Sequence, residues 1–201
     1  MMRILLDNGH GRETAGKRSP VWPDGAQLFE WEFNRDIVRR LAALLSRSGV
    51  PHDVLVGEDI DVPLAERVRR ANEICRREGA QHCLLVSVHA NAGGGTGWEV
   101  FTSKGQTAAD RYAEIFCQWA EMSLPEFRLR TDLSDGDRDK EAALYILTKS
   151  ACPAVLTENL FMDTERDCRF LLSDAGRKRI ARMHYDAILE CIACHDKHVG
   201  R

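Results

Sequence analysis

Four side chains fall at comparable points of the chain and are of types that do chemistry together. His10 lies between two glycines in "ILLDNGHG", and His89 ends the apolar run of "VSVHANAGGG". Glu158 closes "PAVLTENLF", and Glu30 stands just before a helical pattern in "FEWEFN". Two imidazoles and one carboxylate are a known catalytic zinc set that leaves a fourth position for water. Bound zinc lowers the pKa of that water towards neutrality and polarises a carbonyl. The reaction also needs a general base that is not itself a ligand, and Glu158 is the candidate. Singly, each signal is weak. A histidine after an apolar strand is more often packed or capping, and Glu158 alone could cap the next helix or pair with an arginine. No short-range zinc signature such as HExxH or paired CxxC is present. The four residues in combination carry the reading.

Glu30 must be separated from Glu32. The first helix runs its apolar face through Phe33, Ile37, Val38, Leu41, Leu44 and Leu45. At about 100° per residue, Glu30 projects onto the middle of that face and Glu32 onto the opposite side with Asp36, Arg39 and Arg40. An inward carboxylate needs a partner, because a buried unpaired charge is costly. Zinc or a cationic group would supply one. The argument holds if helical geometry reaches back to residue 30.

The elements that must position these groups alternate. Strand-like apolar runs are expected at 3–8, 52–57, 83–90, 97–102, 143–148 and 154–159, and helices at about 32–48, 63–79, 106–123 and 174–195. Mostly apolar rather than alternating runs suit strands covered on both faces. Gly49 with Pro51 stops the first helix, and Gly79 stops the second. The order predicts a single α/β domain over 1–201, with a twisted, mostly parallel sheet of about six strands and helices on both faces. In open sheets of this kind functional groups gather at the carboxyl ends of strands, where three of the four candidates fall. Two long irregular stretches, 11–29 and 124–140, are either rims of a site or solvated excursions.

The 201 residues carry a formal charge of -3, with 44% apolar and 29% charged side chains. This balance makes no electrostatic case for nucleic acid or an anionic membrane. No apolar run approaches the ~18 residues of a membrane span. "MMRILLDNGHG" meets Asp7 too early for a secretory signal, so no signal peptide is expected and the oligomeric state is open. Seven cysteines are expected as free, mostly buried thiols. Cys191, Cys194, His195 and His198 in "CIACHDKH" match the c-type haem attachment spacing, with an accessory metal site as another reading. The segment continues a helical pattern, and an ordinary helix end is the expectation.

Together "LLDNGHG", "EWEFNRDIVRRLAALL", "LAERVRRANEI", "LLVSVHANA", "GWEVF" and "CPAVLTENLFMD" resemble, in order, the motif blocks of the zinc-dependent N-acetylmuramoyl-L-alanine amidases of the amidase-3 type. The blocks run from residue 4 to about 163, and the closing helix also fits. The resemblance implies a single catalytic amidase domain that cleaves the bond between the lactyl group of N-acetylmuramic acid and L-alanine of peptidoglycan. By motif, His10, Glu30 and His89 would be the Zn2+ ligands and Glu158 the catalytic glutamate. Asn8, Arg12 and the Asn159–Leu160 pair depart from the usual wording, which puts substrate shape rather than zinc binding in question.

Asp7 is then a candidate partner of a ligand histidine, with turn capping as the alternative. Lys17, Arg18 and Arg130 are candidate contacts for stem-peptide carboxylates by charge alone, with surface solvation the competing reading. An autolysin, a phage-type endolysin or an enzyme with another route to the wall all fit. Two other classes compete: a non-catalytic peptidoglycan-binding module, and a zinc peptidase on a related fold. The latter often needs a bridging carboxylate for a second metal, and none is evident.

Overall fold

The computed structural model describes residues 2–199. Its sheet is built from β1 (Arg3–Asn8), β2 (His52–Val54), β3 (Cys83–Asn91), β4 (Glu99–Thr102), β5 (Lys140–Glu141) and β6 (Ala154–Phe161). The spatial order is β2-β1-β3-β6-β4-β5. The first four strands of that order run parallel, β4 lies antiparallel to β6, and β5 follows β4 in parallel. The helices are α1 (Glu30–Arg47), α2 (Leu64–Glu78), α3 (Asp110–Ser123), α4 (Tyr145–Lys149), α5 (Glu165–Leu172) and α6 (Asp174–Val199).

Alternation along the strands sorts the side chains into two cores. Ile4, Leu6, Leu84, Val86 and Val88 face α1, α3, α5 and α6, whereas Leu5, Leu85 and Leu156 face α2 and α4. The second layer is thinner, with only Val68, Ala71 and Cys75 of α2 and Ile146 and Leu147 of α4 buried in it. Beyond that short cover the carboxyl ends of the strands lie open on one side. By register Asp7, Ser87, His89, Glu158 and Glu99 all project to this α2/α4 face.

The α/β expectation and the six-strand sheet hold, with two local differences. The run 143–148 is not a strand: its centre is α4, where Thr148 N–H donates to the Leu144 carbonyl at 2.9 Å. A short apolar run has no period long enough to separate the two states, and burial of the adjacent pair Ile146 and Leu147 suits a helical turn. The sixth strand is instead β5, two residues of polar sequence. Helix α5 carries four charged residues in its first five, which conceal its apolar positions Cys168 and Leu171.

Six of the seven cysteines are buried and none forms a disulfide. Cys191 is wholly inside the core, and His195 is buried against His82 and Tyr112 at 3.4 Å each. The CxxCH spacing is thus part of the packed end of α6; the His198 side chain lies outside the described residues. No helix among the described residues is long and apolar enough to cross a membrane.

Buried His184 of α6 gives the fold a pH signature. Its Nδ1 donates to the Ile180 carbonyl at 2.9 Å, so Nε2 accepts from the Thr157 hydroxyl at 2.9 Å. Burial pushes its pKa down to about 4 from 6.5. The unfolded chain therefore binds a proton first as pH falls, and the stability of neutral His184, complete above pH 6.5, is lost between 6.5 and 4. The loss should approach about 3 kcal/mol. Urea unfolding of wild type and His184→Gln across this window should show a steeper decline in the wild type; parallel curves would refute it.

Candidate metal centre

The left-handed backbone at His10 (φ 64°) turns the chain abruptly off the end of β1. A non-glycine residue holds this conformation only where its surroundings enforce it. Here Arg35 Nη1 and Arg67 Nη2 both donate to the His10 carbonyl, at 3.0 and 3.1 Å. Arg67 is 2% exposed and also reaches the Asn8 carbonyl at 2.7 Å and Asp7 Oδ1 at 2.8 Å. Ser87 donates to the other Asp7 oxygen at 2.6 Å. Asp7 thus pairs with Arg67 and Ser87, and neither histidine bonds to it. It supports the His10 turn through the arginine.

Arg67 is not among the candidates that the sequence singles out, although its spacing holds the signal. It shares the inward side of α2 with Val68, Ala71 and Cys75, the same criterion that separates Glu30 from Glu32.

Helix α1 begins at Glu30, so the condition for the inward projection is met. Glu30 is 1% exposed while Glu32 is exposed. From the first helical turn its Oε1 lies 3.3 Å from His10 Nε2 and 3.1 Å from His89 Nδ1. One donor atom from each of His10, Glu30 and His89 lies within 4.8 Å of the others, the one such group among the described residues. Burial works to raise the Glu30 pKa, yet hydrogen bonds from His10 and His89 hold it well below the usual carboxylate range. His89 is shifted the opposite way: burial lowers its pKa, and Glu30 more than offsets this.

Glu30 Oε2 is buried without a hydrogen-bond partner. The nearest cation is Lys17, at 3.9 Å. An orphaned carboxylate oxygen beside two imidazoles is a donor set that fits a divalent, borderline-soft cation.

His89 and Glu158 are register partners on β3 and β6. Immediately beyond them β6 carries a bulge, with Asn159 and Leu160 opposite Ala90 and Leu160 left-handed at φ 63°. Bulges re-aim side chains beside functional sites. Asn159 Nδ2 donates to the His89 carbonyl at 2.9 Å, and its Oδ1 accepts from Trp98 Nε1 at 2.9 Å. Asn159 and Leu160 are therefore core supports of the centre and do not shape the cleft. Asn8 is likewise buried, bonded to the Val56 carbonyl at 3.1 Å, and Arg12 pairs with Asp59 at the surface.

Among the described residues Glu158 forms no ion pair. Burial, as the main cause, pushes its pKa up to about 7, and its Oε2 is buried and unpartnered. It lines a cleft of about 410 Å³ together with His10, His89 and Lys17, walled on the far side by Leu64 and Tyr145. The stretch 11–29 forms a strap beside this cleft. Its backbone pairs Ser19 with Leu28 and Glu30 with the Lys17 carbonyl, which presents Lys17 to the centre. Arg18 is exposed on the strap, and Arg130 is bonded to Glu99.

Gly9 is small because His89 is close. A Cβ there would lie 2.0 Å from His89 Cε1. Gly9→Ala should therefore displace the imidazole and lower metal content while far-UV circular dichroism stays native. Wild-type metal content in this variant would show that the ring has room to move.

An α/β domain here gathers two imidazoles and a carboxylate beside a buried glutamate whose pKa is raised. The family model described as N-acetylmuramoyl-L-alanine amidase, of the amidase-3 type, matches residues 4–190. The amidase CwlM of Bacillus licheniformis is 31% identical over 190 residues, covering 94% of this chain and 68% of that protein. The endolysin of Bacillus phage SPP1 is 29% identical over 203 residues, covering 98% and 68%. Among solved structures, the amidase AmiC2 of Nostoc punctiforme superposes with a TM-score of 0.78 at 25% identity, covering 96% of this chain and 97% of that one. The chain belongs to the N-acetylmuramoyl-L-alanine amidase family.

Proposed function

We propose that this chain hydrolyses the amide between the lactyl group of N-acetylmuramic acid and L-alanine in peptidoglycan, with His10, Glu30 and His89 holding Zn2+ and Glu158 moving the protons. The observation that carries this reading is the convergence of the three donors within 4.8 Å of one another in the cleft that Glu158 lines. Zinc bound there would supply Lewis acidity to the scissile carbonyl and to an attacking water.

The protein's own groups do the rest. A carboxyl group with a pKa near 7 is matched to both halves of the proton transfer at neutral pH. Glu158 takes a proton from the water as it attacks, then gives it to the departing L-alanine nitrogen, so the leaving group departs as an amine. Glu30 stays ionised throughout, held so by the imidazoles. Arg35 and Arg67 fix the His10 backbone, and Asn159 fixes that of His89, so neither ring has to be ordered when substrate arrives.

The test is mass spectrometry of purified muropeptides after digestion, with and without a chelator. Products should separate into glycans ending in free lactyl carboxyl groups and peptides with free L-alanine N-termini. The chelator should abolish both, and added zinc should restore them. Binding to peptidoglycan without release of either product would reject the hydrolase reading.

A further inference from the structure

Next to Glu158 lies a second charged cluster that the proposed reaction does not use. Glu99 on β4 is the antiparallel register partner of Glu158, so the two side chains leave neighbouring strands on the same face. Glu99 is 4% exposed. Its Oε1 accepts from Asn91 Nδ2 at 2.6 Å, and its Oε2 accepts from Arg130 Nε and Lys140 Nζ, each at 2.6 Å. Two cations on one carboxylate leave the cluster with a net single positive charge.

Both cations are held in place. Arg130 N–H donates to the Trp98 carbonyl, which joins segment 128–130 to the start of β4. Its guanidinium lies 5.0 Å from the Phe161 ring centroid, and the Lys140 ammonium 5.9 Å from that of Phe101. Their side chains remain 31% and 24% exposed. Arg130 meets Glu99 through Nε, which leaves its two η nitrogens to receive another acceptor, and Lys140 keeps further N–H donors. A buried carboxylate that orders two half-exposed cations is a preorganised receiver for an anion.

We infer that Arg130 and Lys140, positioned by Glu99, bind the free α-carboxylate of the stem-peptide residue that follows L-alanine. This rests on the amidase reading above. That residue is a D-glutamate joined onward through its side-chain carboxyl, so its α-carboxylate is free unless the stem is amidated. It lies one to two extended residues beyond the scissile nitrogen, about 3.3 to 7 Å. The β6-to-β4 spacing of about 4.8 Å falls inside that range. The peptide then runs from Glu158 across β4 towards β5. Arg130 and Lys140 are specificity residues, and Glu99 is a positioning residue.

Two stems that differ only in this group test the inference: N-acetylmuramoyl-L-alanyl-D-glutamate and its α-amide. Cleavage is read as kcat/KM, and binding of the two corresponding dipeptides is read by calorimetry. The wild type should favour the acid over the amide by about tenfold in both readouts. In Arg130→Gln and Lys140→Gln the acid-to-amide ratio should fall towards one, and Arg130→Lys should retain most of it, which separates lost charge from lost folding. Equal handling of acid and amide by the wild type, or an unchanged ratio in both neutral variants, would reduce the cluster to an internal ion pair only. Preference in binding with no cleavage of either stem would sustain the subsite while overturning the amidase reading. Cleavage without preference would overturn the subsite alone.

Discussion

Glu158→Gln is expected to keep near-stoichiometric zinc and to lose about 10³-fold or more of its muropeptide cleavage. The substitution preserves the shape of the side chain and removes its capacity to take a proton. Glu158 forms no ion pair among the described residues and owes its raised pKa chiefly to burial, so an amide in its place should leave the fold intact. The neutral side chain also removes a like charge that Glu30 and Glu99 both oppose. Zinc content by mass spectrometry and cleavage on the same preparation separate the roles. Loss of metal together with activity would make Glu158 a ligand, and retained activity would remove it from the mechanism.

His89→Ala should instead lose both metal and cleavage. Removing a hydrogen-bond partner behind a metal ligand costs about 10–100-fold in affinity or activity, so removing the ligand itself should cost more. His89 is also the closer of the two imidazoles to Glu30, at 3.1 Å. Its loss leaves the buried Glu30 carboxylate with only the His10 imidazole at 3.3 Å and the Lys17 ammonium at 3.9 Å beside it among the described residues. The variant should therefore melt below the wild type in the presence of zinc, since it can no longer draw stability from binding the ion. Full zinc retention in His89→Ala would remove this residue from the centre.

Both predictions concern residues that are visible in the primary sequence, for identifiable reasons. His89 and Glu158 end long apolar runs, and strand ends meet at one edge of a parallel sheet. Glu30 follows from a helical phase that needs no tertiary information beyond the helix reaching residue 30. Arg67 obeys the same phase rule. Its role is nevertheless invisible along the chain, because its partners Asp7, Asn8 and His10 lie some 60 positions away, Asp7 at |i−j| = 60. The Glu99–Arg130–Lys140 cluster is more remote still from sequence logic. It needs β4 to reverse direction beside β6 and two separate segments to meet over it.

The departures at Asn8, Asn159 and Leu160 are instructive in the opposite sense. As letters beside site residues they suggest an altered cleft. By alternation Asn8 and Asn159 point to the other face of the sheet, where Asn159 braces His89, and the bulge rather than alternation carries Leu160 into the larger core. Run 143–148 shows the limit of composition: the same apolar letters satisfy a strand or one helical turn, and the packing of Ile146 and Leu147 under α2 decides it.

By itself the sequence determined the α/β class, the strand ends that carry His10, His89 and Glu158, and the inward phase of Glu30. These follow from periodicity, which is local. Only the tertiary structure decided that the donors come within 4.8 Å of one another, that two arginines hold His10 in a left-handed turn, and that a cation pair stands one strand away from Glu158. Those are contacts between segments far apart in the chain, and no local pattern encodes the distance between them.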